Sequence, residues 1–288
     1  MQLEKPTNTP TPFRIITFNI RYDCAPSARE PHELPFSDRL PLILQTLYFH
    51  TLTTPTFVCL QEALHHQLVA VRDGLKELHQ TTSWRHLGTG REDGKEEGEF
   101  NPILYREDQW RLVEYEQKWL SPTPEKPSFG WNAACKRVFV RGLFAAESGR
   151  RVTVVNTHFD HVSEKAREKE AGMMLQVLEK ARDGNSDVVV LTGDLNSRVD
   201  QKAYQLLSGN GSLVKDARRL ARVRIGNEIT FTGFERKKED RERIDYVFIG
   251  GKGNWEARSY LVASNGWDEG GLMSDHRPVI VDVQINGN

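Results

Sequence analysis

Ten polar residues carry the chemistry of this sequence, and each stands at or beside the end of an apolar run. FRIITFN ends in Asn19, TFVCLQE in Glu62, and VTVVNTHFD in Asn156, His158 and Asp160. VVVLTGDLN ends in Asp194 and Asn196, ERIDYVF holds Asp245, and Asp275-His276 precedes PVIVDV. In layered α/β folds the rims of strands are where sites form. Carboxylates and amides together, without thiolates, make an oxygen cage suited to a hard cation such as Mg²⁺ or Mn²⁺. Closely packed carboxylates repel unless a cation neutralises them. A histidine beside a carboxylate is fixed in one tautomer and becomes a stronger base or a stable imidazolium. Water attack on a phosphate ester needs a metal, a base and donors for the developing charge. Each residue alone also has a bland reading: Glu62 solvated at a turn, His158 a satisfied buried ring, Asp194 a turn cap, Asp245 a partner of Arg241 or Arg243. Their joint occurrence in order favours metal-assisted phosphoester hydrolysis.

The elements that must position these residues can be read from the apolar pattern. Strands are expected at 13–20, 56–60, 102–105, 110–119, 138–145, 151–156, 187–191, 229–232, 244–249, 257–262 and 279–285, where β-branched and aromatic residues concentrate. The runs 102–105 and 110–119 read as two strands around a turn, and 138–145 with 151–156 as a hairpin. Leu40, Ile43, Leu44 and Leu47 predict a helix from about residue 37, capped by Ser37 or Asp38. Further helices are expected at 63–79 and 163–181, the latter capped by Ser163 and stopped by Asp183-Gly184. The stretch 88–101, with five acids and four glycines, is a loop, as is the proline-rich 121–130. Strands alternate with helices but hairpins occur too, which predicts a mixed sheet in one α/β domain over 13–288, after a mobile Thr/Pro-rich tail at 1–12.

Composition narrows the function classes. Thirty-nine basic residues nearly balance forty acidic ones, for a net charge of −1, so no global field favours long nucleic acids. Two local basic runs, Arg218/Arg219/Arg222/Arg224 and Arg236/Lys237/Lys238, read as a solvated helix face or loop rather than a backbone track. No apolar run reaches the length needed to span a bilayer, and the first residues lack a secretory pattern. Three cysteines are too few for a disulfide framework or a thiolate zinc site. The expectation is an intracellular protein, cytoplasmic or nuclear, with no membrane partner, and a monomer. No G-x-S-x-G elbow points to serine-nucleophile chemistry.

The segments TFNIR (17–21), CLQE (59–62), NTHFDH (156–161), LTGDLN (191–196), RIDYVF (243–248) and SDHRPV (274–279) resemble, in order, the endonuclease/exonuclease/phosphatase superfamily. GREDGKEEGEFNPILYRED, KWLSPTPEKP and WNAACKR resemble a sub-branch whose substrates are largely unassigned. The resemblance implies a four-layer α/β sandwich: two packed mixed β-sheets flanked by helices, with the site at one end. It implies Glu62 as the principal Mg²⁺ ligand, with Asn19 and Asp275 close to the metal and Mn²⁺ a possible substitute. It further implies that Asp194 activates water, that Asn196 positions it or contacts phosphate, and that His158 donates to a phosphate oxygen. His276, held by Asp245, is then the transition-state stabiliser or proton carrier. Where the sub-branch usually has Asp and Pro, this chain has Asn132 and Lys136. Arg91, Glu99, Arg106, Trp131 and Arg137 are candidate substrate contacts. The leading expectation is a Mg²⁺-dependent phosphoesterase, a nuclease or phosphodiesterase, with nucleic acid and nucleotides among its candidate partners. The alternatives are a phosphatase of a nucleotide or other small phosphorylated metabolite, and a catalytically inactive binding module.

Overall fold

The computed structural model describes residues 9–234, 240–268 and 271–287. Among them, two sheets stack face to face. The first has the order β10 (Val223–Gly226), β12 (Trp255–Val262), β13 (Val279–Ile285), β1 (Thr11–Asn19), β2 (Thr56–Gln61), β4 (Ile103–Arg106), β3 (Trp84–Leu87). The second runs β5 (Trp110–Trp119), β6 (Val138–Ala146), β7 (Arg151–His158), β8 (Val188–Asp194), β11 (Asp245–Gly250), β9 (Val214–Asp216). Both are mixed: β1 pairs parallel with β2 and antiparallel with β13, and β8 parallel with β7 and antiparallel with β11.

Strand alternation divides the buried side chains among three layers. Phe13, Ile15, Phe57, Val152, Val154, Val188, Val190, Val281 and Val283 fill the space between the sheets. Their neighbours Ile16, Phe18, Val58 and Leu60 point the other way and pack with Ile43 and Leu47 of α1 (Phe36–Thr51) and Leu68, Val71 and Leu75 of α2 (His65–Leu78). On the far side, Val155, Val189, Leu191 and Phe248 meet Ala171, Met174 and Leu178 of α3 (Glu164–Asp183) and Leu207 of α4 (Lys202–Ser208). The result is the expected helix–sheet–sheet–helix sandwich. Strands such as VVVL are apolar throughout because both of their faces are covered.

Several local expectations change. Thr11 and Pro12, read as tail, open β1, where Thr11 registers with Ile285. Helix α1 is entered through Pro35 with no side-chain cap, and Ser37 spends its hydroxyl on Asp38 at 3.0 Å. By contrast Ser163 does cap α3, accepting from the Ala166 N–H at 3.1 Å. β4 and β5 are not a hairpin: the turn between them carries the chain from one sheet to the other. The stretch 229–232 forms only isolated bridges at Phe231. Arg218 and Arg219 lie on the short helix α5 (Ala217–Leu220), while Arg224 lies on edge strand β10 rather than on a helix. The run Arg236/Lys237/Lys238 falls outside the described residues.

Candidate active site

The sheet registers themselves assemble the site. His158, the last residue of β7, registers with Asp194, the last of β8, and Asp194 registers with Asp245, the first of β11. One row across the second sheet therefore ends in an imidazole and two carboxylates. In the first sheet Asn19 ends β1 opposite Gln61, so Glu62 follows directly, and Asp275-His276 lies just ahead of β13, the other neighbour of β1. The two rims meet where the Asn19 amide donates to Glu62 Oε1 at 2.9 Å and to Asp194 Oδ2 at 3.1 Å. Arg21, Glu62 and Asn196 have φ of 56°, 60° and 46°. Asn adopts this left-handed conformation readily, but for Arg and Glu it is strained, a cost typical of functional turns.

Each polar group has a defined environment. His276 Nδ1 bonds Asp245 Oδ2 at 2.8 Å, and its Nε2 lies 3.6 Å from Asp194 Oδ2. Burial opposes the charge on this ring, but the Asp245 and Asp194 carboxylates overcome it and push the imidazole up to about 10, so it is a cation at neutral pH. Burial and the charge of Asp245 push Asp194 up to about 7. His158 goes the other way: burial, then Arg137 and Arg91, hold it well below its usual value, so the ring is neutral. The Asn196 amide approaches His158 Nε2 at 2.9 Å, and with the amide as donor there the ring proton sits on Nδ1, which is buried without a partner. Burial acts to raise Glu62, yet the Asn19 amide and the His276 and Arg21 charges hold it below the ordinary carboxylate range. Asp275 is raised, by burial and by the charge of Glu62.

Glu62 and Asp275 thus form an all-oxygen pair whose mutual repulsion a divalent cation would relieve, a donor set that fits a hard ion. Asn19 directs its N–H₂ at Glu62 and its oxygen at the Arg21 N–H (3.0 Å), so it braces the pair. Asp194, Asp245 and His276 also place one potential ligand atom each within 4.8 Å of one another, so this buried trio could hold a metal ion. His276, held as a cation by the two carboxylates, would have to give up a proton to ligate, which makes the Glu62–Asp275 pair the better cation site.

These groups open into a cavity of about 680 Å³ lined by Glu62, His158, Asp194, Asn196, Asp275 and His276. Its outer wall includes Arg91, Glu99 and Arg137 from the candidate substrate contacts, with Arg91 bound to Glu99 at 2.7 Å. Arg106 is not there. It closes β4, which runs antiparallel to β2, so it faces the opposite end of the sandwich and pairs with Asp108 at 2.5 Å. Trp131 does not line the cavity either; with Asn132 it makes a turn of positive φ, and its carbonyl accepts from Ser163 Oγ at 3.3 Å. An asparagine at 132 suits that backbone. Lys136 ties down the acidic loop, meeting Glu92 Oε2 at 2.8 Å.

Three contributors were not singled out from the sequence. Arg39 of α1, fully buried, donates to the carbonyls of Ile20, Arg21, Leu34 and Met273, gripping the chain on both sides of the site. Thr230 Oγ1 accepts from the N–H groups of Ile244 and Asp245, both at 3.0 Å. Ser274 Oγ reaches the Asn19 carbonyl at 2.7 Å. The first reads in sequence as an ordinary polar helix position, Thr230 as part of the expected strand at 229–232, and Ser274 as a loop residue.

Comparison with known proteins agrees with this geometry. An endonuclease/exonuclease/phosphatase from Bacteroides vulgatus is similar with a TM-score of 0.84 and 32% identity, over 96% of this chain and 99% of that one. A mannosyl-6-phosphatase from Bacteroides thetaiotaomicron follows at 0.80 and 27%, over 94% and 99%. D. rerio TDP2, complexed with a single strand DNA product, matches at 0.69 and 17%, over 94% and 98%, a likeness of fold alone. No curated protein sequence matches the chain. The model of the Endonuclease/Exonuclease/phosphatase family, whose members are hydrolases of phosphate esters, matches residues 16–276. With the sandwich, the strand-end carboxylates and the His–Asp pair in place, that match over nearly the whole chain makes it a member of the endonuclease/exonuclease/phosphatase family.

Proposed function

We propose that this protein is a Mg²⁺-dependent phosphomonoesterase acting on a small phosphorylated metabolite. The observation that carries the proposal is the cavity: hydrolytic groups from both sheets converge in a recess of about 680 Å³, within the range of small-molecule sites, walled by ionic side chains. A recess of this size accommodates a sugar phosphate or nucleotide, which favours the small-substrate alternative over the nuclease. The balanced charge of the chain and the likeness to a mannosyl-6-phosphatase support the same choice.

Glu62 and Asp275 would hold the cation, which when bound supplies Lewis-acid stabilisation of the phosphoryl and leaving-group oxygens. Asp194, poised near neutrality, accepts the proton of the attacking water. The Asn196 backbone N–H fixes that carboxylate at 2.8 Å. Neutral His158, its Nε2 held by the Asn196 amide at 2.9 Å, offers the unpartnered Nδ1–H to a phosphoryl oxygen, and cationic His276, locked by Asp245, opposes the charge that accumulates in the transition state.

A turnover screen with Mg²⁺ against sugar phosphates, nucleotides and oligonucleotides at several salt concentrations tests the proposal. Small monoesters should be hydrolysed with shallow salt dependence. Preferential cleavage of oligonucleotides, falling steeply as salt rises, would show multiple backbone contacts and restore the nuclease reading.

A further inference from the structure

Arg137, at the entry to β6, is the least engaged cation of the cavity. It is 3% exposed. Its Nη2 meets His161 Nδ1 at 3.1 Å, and its Nε stands 3.9 Å from the nearer Asp160 oxygen, too far for a hydrogen bond. Nε and Nη1 are buried without an acceptor, and among the described residues no other side chain has two such donors. The neighbouring arginines are occupied: Arg21 with Glu33, Arg91 with Glu99, Arg198 with Glu242, and Arg167 with the Asp160 carbonyl. Stranded buried donors are costly and call for an explanation, and Arg137 lines the cavity into which the hydrolytic groups open.

The position of Arg137 is also fixed. Asp160 Oδ2 accepts from the N–H groups of Ala134 (2.9 Å) and Cys135 (3.3 Å), while Oδ1 accepts from Val162 and Ser163 at the start of α3. The segment leading into Arg137 is thereby pinned to the helix. After burial, Arg137 is the strongest influence holding the His158 ring neutral, so its charge lies beside the imidazole assigned to a phosphoryl oxygen.

We propose that Arg137 is a specificity-determining residue, which grips the transferring phosphoryl group through Nε and Nη1 and so selects monoesters over diesters. This rests on the phosphoesterase reading and deepens it. A monoester has three non-bridging oxygens and nearly two charges at neutral pH, whereas a diester has two and one. The cation site and the His158 Nδ1–H engage oxygens of either ester. Only a monoester has a further charged oxygen to satisfy a planar fork of donors. A diester would set its second ester arm against that fork and leave buried N–H groups unmatched.

The experiment measures kcat/KM for p-nitrophenyl phosphate and bis(p-nitrophenyl) phosphate with the full chain in Mg²⁺, for wild type, Arg137→Gln and Arg137→Lys. Melting curves with and without inorganic phosphate accompany it. Arg137→Gln should lower monoester turnover by about 10²-fold, the scale of one lost oxyanion donor, and diester turnover far less. Arg137→Lys, which keeps a cation beside Asp160 but not the fork, should fall between and serves if the Gln variant does not fold. The phosphate-induced rise in melting temperature should vanish with the preference. An unchanged monoester-to-diester ratio in a folded variant, or an undiminished phosphate shift, would overturn the proposal. A wild type inert towards both esters would instead sink the phosphoesterase reading, while the melting shift would still report whether Arg137 holds phosphate.

Discussion

Asp194 receives a hydrogen bond from Asn19, lies 3.6 Å from the His276 ring and registers with both His158 and Asp245. Asp194→Asn is nearly isosteric, so its fold should survive, as judged by an unchanged melting temperature within a few degrees. Its turnover should drop by at least ~10³-fold, because an amide cannot accept the proton. The same carboxyl sets the pH profile. A base raised to about 7 is inactive when protonated, so kcat/KM should rise with pH through about 7. It should fall again near 10, where His276 loses its charge. A rate that is flat from pH 5 to 9 would refute the role of Asp194, and the absence of any fall up to about pH 11 that of His276. At this scale the sequence was informative where a polar residue interrupts an apolar run at a strand end, as at Glu62 and Asp194. It was silent on Arg39, whose work is done by a long side chain reaching main-chain carbonyls far away in the chain.

Asn156 shows how an element can be misread from its composition. It stands two residues before His158 and reads as another rim residue, yet it is fully buried between the sheets. Its amide donates to the carbonyls of Leu60 and Pro102 at 2.8 and 2.9 Å, and its oxygen accepts from Gln61 and Thr192. Asn156→Ala leaves those buried groups unmatched and should cost about 2–4 kcal/mol in urea denaturation. A loss under about 0.5 kcal/mol would show that the link is dispensable. Long or fully apolar strands and the amphipathic helices were legible because periodicity is strong over many residues. The short β3, the three-residue β9, the wholly exposed β10 and the seven-residue α4 carry no such signal. The change of sheet between β4 and β5 also escaped, since a turn's sequence records its bend but not which layer receives the next strand.

For the molecule as a whole, a cation bound only by the folded rim should stabilise the fold by mass action, by about 2.7 kcal/mol at one hundred times its dissociation constant. Protein stripped with EDTA should therefore melt lower and regain its melting temperature with Mg²⁺ or Mn²⁺. Glu62→Gln should remove that response. Rescue by Zn²⁺ alone would argue against an oxygen-donor site. Among the described residues no helix is long and apolar enough to cross a membrane. The 2.9 and 3.1 Å bonds of the Asn19 amide join groups 43 and 175 residues apart in sequence. The hydrolytic centre consequently has no precursor in any shorter piece of the polypeptide. During synthesis, or in a partly unfolded population, catalysis should be absent rather than weak, and recovery of turnover on refolding becomes a direct clock for the last docking event.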